Sequence, residues 1–225
     1  MSIVWSCPLD VDAYAARGRR IETPRPACPL CAGPTQRWHG YLRHLRADGD
    51  RLIWIPRVRC TSCGRTQALL PWFVLPRRWD TVGALGQAAE LAASGLGHRS
   101  IAAALARPET TVRSWLRRLR SSALPLAAAL LARAVAFGWS GFELPVAGLA
   151  RLCAAVHRLA GRWPRDPPAD PWSIACLVTG GGLLATNTDA PLETAGASGQ
   201  MAAPSEGGVP WHTTRPRRSR CGATT

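Results

Sequence analysis

Lysine is absent from this 225-residue chain: all 28 basic side chains are arginine, set against 14 acids, for a formal net charge of +14. An all-arginine complement is what a GC-rich coding sequence produces. Its physical consequence is a surface of planar guanidinium forks suited to phosphate and guanine. The excess makes a polyanion the leading partner class, with a generic basic surface as the alternative. Long apolar runs are also missing. None approaches the ~20 residues that span a bilayer, and the start, "MSIVWSCPLDVDAYAARGRR", lacks the apolar core of a secretory signal. A cytoplasmic, nucleoid-associated protein without a membrane partner is therefore expected. There is no Ser/His/Asp set, P-loop or dinucleotide fingerprint, and "GGG" at 180–182 lacks the lysine and flanks of a phosphate loop. No internal repeat stands out.

What is present is 47% hydrophobic residues, enough for a core, and eight cysteines. The expected fold is mostly α with a small β zinc ribbon, in five parts. Residues 1–26 form an N-terminal extension ending in "TPRP", 27–78 a four-cysteine ribbon, 79–121 a helix-turn-helix, 122–185 a helical segment, and 186–225 a disordered tail with a basic arm, "RPRRSR". Within the helical segment Pro125 suits a first helical turn. Residues 122–160 are expected to pack or to join two copies in a homodimer.

In a reducing compartment, cysteines point to metal or catalysis before disulfides. Cys28, Cys31, Cys60 and Cys63 form two C-x2-C knuckles, "CPLC" and "CTSC", with 28 residues between Cys31 and Cys60. Four thiolates give the closed tetrahedral coordination of structural zinc and leave no open position for catalytic water. The gap exceeds the usual ribbon spacing. Aromatic and β-branched residues on either side of Asp48-Gly49 explain it as a longer β-hairpin. Reduced, unligated thiols are the alternative. His39 and His44 read as ordinary strand residues, and Cys7, Cys153, Cys176 and Cys221 as unliganded.

Downstream, Asp80 or Thr81 can cap a helix carrying Val82, Leu85, Ala89 and Ala92, with Gly95 as its stop. Ile101, Ala102 and Leu105 mark a short second helix, which Pro108 ends near Ala106. At ~100° per residue, the next helix gathers Val112, Trp115, Leu116 and Leu119 on one face, with Thr110, Ser114 and Arg117 opposite and Arg113 and Arg118 flanking. Such a helix buries an apolar stripe and offers hydroxyls and guanidiniums outward, as a recognition helix does. Ala102 falls where two crossing helices admit only a small residue. An amphipathic pair whose arginines merely solvate its face is the alternative. Charge concentrates here: Arg37 to Arg120 hold 15 arginines against 5 acids.

The ribbon with "RVRCTSCGRTQALLPWFVLPRR", followed by "LAASGLGHRSIAAALARPETTVRSWLRRLR", resembles the N-terminal DNA-binding half of bacterial insertion-sequence transposases, and still more a group of stand-alone actinobacterial proteins sharing that half. The resemblance covers about residues 27–120. It implies that Cys28, Cys31, Cys60 and Cys63 bind a structural Zn2+ and that 110–118 enter the major groove of double-stranded DNA. The expected DNA-contacting set is Thr110, Thr111, Arg113, Ser114, Arg117, Arg118 and Arg120. Ala106 stands where many such motifs have glycine, and Arg107 where an apolar residue is usual. Transposases also carry three spaced carboxylates that hold two metal ions. After residue 121 the chain has only Glu143, Asp166, Asp170, Asp189, Glu193 and Glu206, none on a convincing buried strand. The reading is thus a non-catalytic DNA-binding regulator of transposase-related origin. A transposase or transposase fragment and a zinc-ribbon protein-interaction module are the alternatives.

Overall fold

The computed structural model describes residues 2–141, 145, 148–164 and 170–184. Cys221, the tail 186–225 and its basic arm lie outside the described residues, as do Glu143, Asp166, Asp189, Glu193 and Glu206.

A four-stranded sheet has the order β1-β4-β3-β2, with β1 (Ser2–Trp5), β2 (Thr35–Ala47), β3 (Gly49–Cys60) and β4 (Thr66–Pro71). Strands β2, β3 and β4 are antiparallel neighbours, and β1 runs parallel to β4. The β2–β3 hairpin turns at Asp48-Gly49, with Ala47 paired to Gly49 and Gly49 at φ 102, a conformation that favours glycine. Its ladder is irregular between Arg37 and Gly40. There Gly40 lies so close to Trp54 that a Cβ would come within 2.4 Å of the indole. Strand β3 buries Ile53 and Ile55, then Val58 and Cys60, the parity changing near the irregularity.

The mostly-α expectation is corrected to a mixed α/β fold, with six α-helices and a four-stranded sheet among the described residues. The reason lies in two segments that read as connections. The N-terminal extension supplies β1 and helix α1 (Val11–Arg17), which Asp10 caps through the Ala13 amide. Buried Tyr14 packs edge-on against Phe73, and its hydroxyl donates to the Trp54 carbonyl at 2.9 Å. The connector "PWFVLP" is core as well: Trp72, Phe73, Val74 and Leu75 are all buried.

The helices follow: α2 (Val82–Ala93), α3 (His98–Ala104), α4 (Glu109–Ala136), α5 (Gly148–Ala160) and α6 (Pro171–Val178). Thr81, rather than Asp80, caps α2 by accepting from the Ala84 amide. Residues 105–108 join α3 to α4, and Ala106 takes the left-handed φ of 48 that glycine would adopt without cost. Helix α4 passes unbroken through Pro125, so the division after residue 121 falls within one helix. Proline removes the amide that would bond the Ser121 carbonyl. One turn earlier, Ser121 and Ser122 both turn their hydroxyls onto the Arg118 carbonyl. Ala123, Leu126, Ala127, Leu130 and Ala134 continue the buried stripe of α4, which packs against α5. By length and composition alone α4 is long and apolar enough to cross a membrane, and a third of that stretch is buried inside the protein. Helix α6 closes the core, with Trp172 seated on α2 at Gly86.

Candidate functional site

Two places combine chemistry with geometry. The first is the cysteine quartet. Cys28 and Cys31 lie in the loop before β2, while Cys60 ends β3 and Cys63 sits in the turn before β4. The hairpin ladder brings the knuckles together by pairing Thr35 with Cys60. Each knuckle is closed by local backbone bonds: Ala32 N–H to Cys28 O, and Gly64 N–H to Cys60 O. All four Sγ atoms lie within 4.8 Å of one another, with Cys28–Cys63 at 3.7 Å and Cys31–Cys60 at 3.5 Å. Four sulfurs at ~2.3 Å from a central ion would be about 3.8 Å apart, so the spacing fits a metal ion. The Cys63 amide, aided by that of Ser62, draws the Cys60 thiol down to about 6 against the opposing effect of burial. At Cys31 the Gly33 amide acts downward, but sharing with the Cys60 and Cys63 sulfurs outweighs it and pushes the thiol up to about 12. Sulfurs that compete for protons in this way form a set that a cation would relieve. His39 and His44 are exposed on β2 and outside this set. Cys7, Cys153 and Cys176 are separately buried, and burial raises the pKa of each.

The second place is the far end of the hairpin, where it meets the α3–α4 turn. Asp80, with a side chain only 3% exposed, lies between Arg107 (Nε–Oδ1 2.9 Å) and Arg46 (3.3 Å). The Arg107 contact is electrostatic in character, since its Nε–H is not aligned on the oxygen. The same guanidinium donates to the carbonyls of Arg46 and Ala47, at the hairpin tip, and to those of Leu105 and Ala106 in the turn. Arg107, which stands where an apolar residue was expected, therefore ties the helix turn to the sheet. On the other side of the turn Glu109 meets His98 at 3.0 Å and Arg99 at 3.3 Å. The bond from Arg99, then that from His98, holds its carboxyl below the usual range.

With the turn fixed, α4 is oriented. Val112, Trp115, Leu116 and Leu119 are buried against Ile101 and Ala102 of α3 and the rest of the core. Full burial of side chains of this kind stabilises by about 1.5–3 kcal/mol each. Opposite them Thr110, Arg113, Ser114 and Arg117 line one shallow depression of about 140 Å³. The other three members of the expected set lie outside it: Thr111 and Arg118 are half-buried and Arg120 is exposed. The Arg118 Nε and Nη1 atoms are buried without an acceptor. Burial, then the guanidiniums of Arg78 and Arg117, lowers its pKa.

Sequence reasoning missed Asp80 and Arg107 as parts of the site. Asp80 had a visible role as a helix cap, which concealed its role as a counter-ion. Arg107 did carry a signal, as a charged residue at an apolar position.

A family model described as a domain of unknown function (DUF6431) matches residues 28–115. It begins at the first metal-spaced cysteine and ends at Trp115, so it takes in the quartet, the hairpin, α2, α3 and the outward residues Thr110, Arg113 and Ser114. No match was found among curated proteins, and none among solved structures.

Proposed function

We propose that the protein binds duplex DNA without cutting it, using α3 and α4 as a helix-turn-helix and a zinc ion in the Cys28/Cys31/Cys60/Cys63 site as a structural support. One observation carries the reading. The residues that an α-helix would offer to base edges, Thr110, Arg113, Ser114 and Arg117, lie together on the outward face of α4, exposed or half-buried, while the opposite face is locked in the core. Arginine reads guanine bidentately, and hydroxyls bond bases or phosphates. A net charge of +14 adds the long-range attraction. Zinc is the metal favoured by four thiolates in a tetrahedral, closed set. The resemblance to transposase DNA-binding halves points the same way, and the chain would act as a regulator or accessory factor.

The test is fluorescence anisotropy with duplex oligonucleotides across a salt series. Affinity should fall steeply as salt rises. Arg113→Ala and Arg117→Ala should each weaken binding by about 1–3 kcal/mol where they reach bases. Unchanged binding by both variants would remove the recognition-helix assignment. A second reading, a protein-interaction module, draws on exposed Leu42, Leu52 and Trp79. Capture of a partner that survives nuclease treatment, together with no measurable DNA binding, would favour it.

A further inference from the structure

We infer that two copies of the chain pair side by side along the apolar half of α4, so that its polar halves fork onto one duplex. The pairing stands on the structure of α4 alone; the fork rests on the DNA-binding reading above.

The outward face of α4 is one stripe from end to end. Thr110, Ser114 and Arg117 recur at steps of four and three residues, and the same steps continue through Ser121, Leu124, Ala128, Leu131 and Val135. That spacing is a heptad seam, which keeps to one side of a helix. Its chemistry changes at Ser121. Before it stand hydroxyls and a guanidinium; after it, only apolar side chains. Leu124 is 58% exposed and Val135 56%, while Leu131 is half-buried. The opposite side lies in the core through Ala123, Leu126, Ala127, Leu130 and Ala134. The stretch 121–136 is therefore apolar on both sides, and such a helix is ordinarily covered all round. Its one charged residue, Arg133, lies over the Phe137 ring of its own chain at 5.1 Å.

A second copy is the occupant that this stripe fits. A parallel two-fold pair sets each seam residue against its own counterpart. Like charges would repel there, but Leu124, Leu131 and Val135 bury one another, and Ala128 lets the helices approach. A bilayer fits less well. The apolar half is about 24 Å long, short of the ~30 Å hydrocarbon core, and one side of it is held in the protein core. Direction follows from the residues upstream. In an antiparallel pair overlapping over 121–135, residues 137–139 of the second copy would fall on Arg117 and Arg120 and cover the DNA-facing half. In a parallel pair both polar halves lie at the same end, as basic helices do when they fork from a zipper. Pro125 sits near the junction. It leaves the Ser121 carbonyl without its helical amide, and helices bend most readily at such points. The seam is about two heptads long, short of the three or four that mark a sustained coiled coil. Pairing is therefore weak in the free protein and is strengthened when both copies hold one duplex.

The experiment uses the full-length protein. Sedimentation velocity over a concentration series should show the average mass rising toward that of two chains. Val135→Glu and Val135→Arg should each hold it at one chain, because like charges then meet across the seam. Mixing these two variants should restore the rise, since position 135 meets itself only in a parallel pair. From a random-sequence duplex library the unaltered protein should enrich inverted repeats, and Val135→Glu single half-sites. A mass of one chain at every concentration, with enrichment of unsymmetrical sites, would overturn the pairing and leave the DNA reading intact. If the unaltered protein dimerises but the mixture stays at one chain, the pair is not parallel and the fork is wrong. A rising mass with no duplex retained would remove the DNA reading and the fork while keeping the pairing. Flotation with phosphatidylcholine–phosphatidylglycerol vesicles that Val135→Glu abolishes, in a protein that stays at one chain, would assign the stripe to a membrane instead.

Discussion

Gly86 sits in the middle of α2, where alanine would ordinarily gain about 1 kcal/mol of helix propensity. Here the sign reverses. A Cβ at this position would lie 2.3 Å from Trp172 Cδ1 and 2.4 Å from Cγ. The indole cannot withdraw: it is 2% exposed, and its Nε1 donates to Glu90 at 3.0 Å. Overpacking of this kind costs about 1–3 kcal/mol, so Gly86→Ala is expected to lower stability by that order in urea unfolding. Gly83, one turn earlier, is the internal control. Its Cβ would meet only the Asp170 carboxylate at 3.4 Å, so Gly83→Ala should be neutral or stabilising by up to about 1 kcal/mol. Equal effects of the two changes would show that Trp172 does not seat on α2. Neither glycine is distinguishable in the sequence, because the residue that decides between them lies 86 positions away from one of them in the chain.

Arg107 matters through the elements it joins. It links the β2–β3 tip, the N-terminal approach to α2 and the α3–α4 turn. Replacing it with leucine, the kind of residue expected at that position, would leave Asp80 buried with Arg46 alone. Breaking one side of a buried pair costs about 3–5 kcal/mol. The surviving Arg46 contact at 3.3 Å should hold the loss for Arg107→Leu to about 2–4 kcal/mol. Adding Asp80→Asn should recover part of that loss, giving a coupling above about 1 kcal/mol in a double-mutant cycle. Strict additivity would mean that the two charges do not act as a pair. Local pattern was enough to place most elements: the hairpin from Asp48-Gly49, the end of α2 from Gly95, the turn from Pro108, and the buried face of α4 from its spacing. It failed where partners are remote. Pro125 reads locally as a helix start, yet α5 packing carries α4 through it. The connector and the extension read as loops, yet their apolar residues fill the gap between sheet and helices.

At the scale of the whole molecule, the hairpin separates two kinds of support. The cysteine quartet holds one end, where Thr35 faces Cys60, and the Arg107–Asp80–Arg46 contact holds the other, near Ala47 and Gly49. The twelve residue steps from Thr35 to Ala47 along β2, at ~3.3 Å each, place these ends roughly 40 Å apart. Structural zinc sites contribute folding energy directly, so losing the ion should release the knuckles, whose thiolates then repel one another. The helices, from Ile101 and Trp115 to Leu159 and Ile174, share one core with Leu45, Ile53 and Ile55 of the hairpin, and none of the four knuckle cysteines belongs to it. Protein purified without chelator should therefore contain one zinc per chain by elemental analysis, and markedly less would count against the site. Chelation should abolish hydrogen-exchange protection at 28–37 and 58–66, while the amides of α2, α4 and α5 stay protected and the helical circular dichroism is kept. Simultaneous loss of protection in ribbon and helices would show instead that the quartet supports the entire fold. The hairpin would then transmit metal loss to α4 rather than insulate it, and DNA affinity would depend on the metal through the orientation of Arg113 and Arg117.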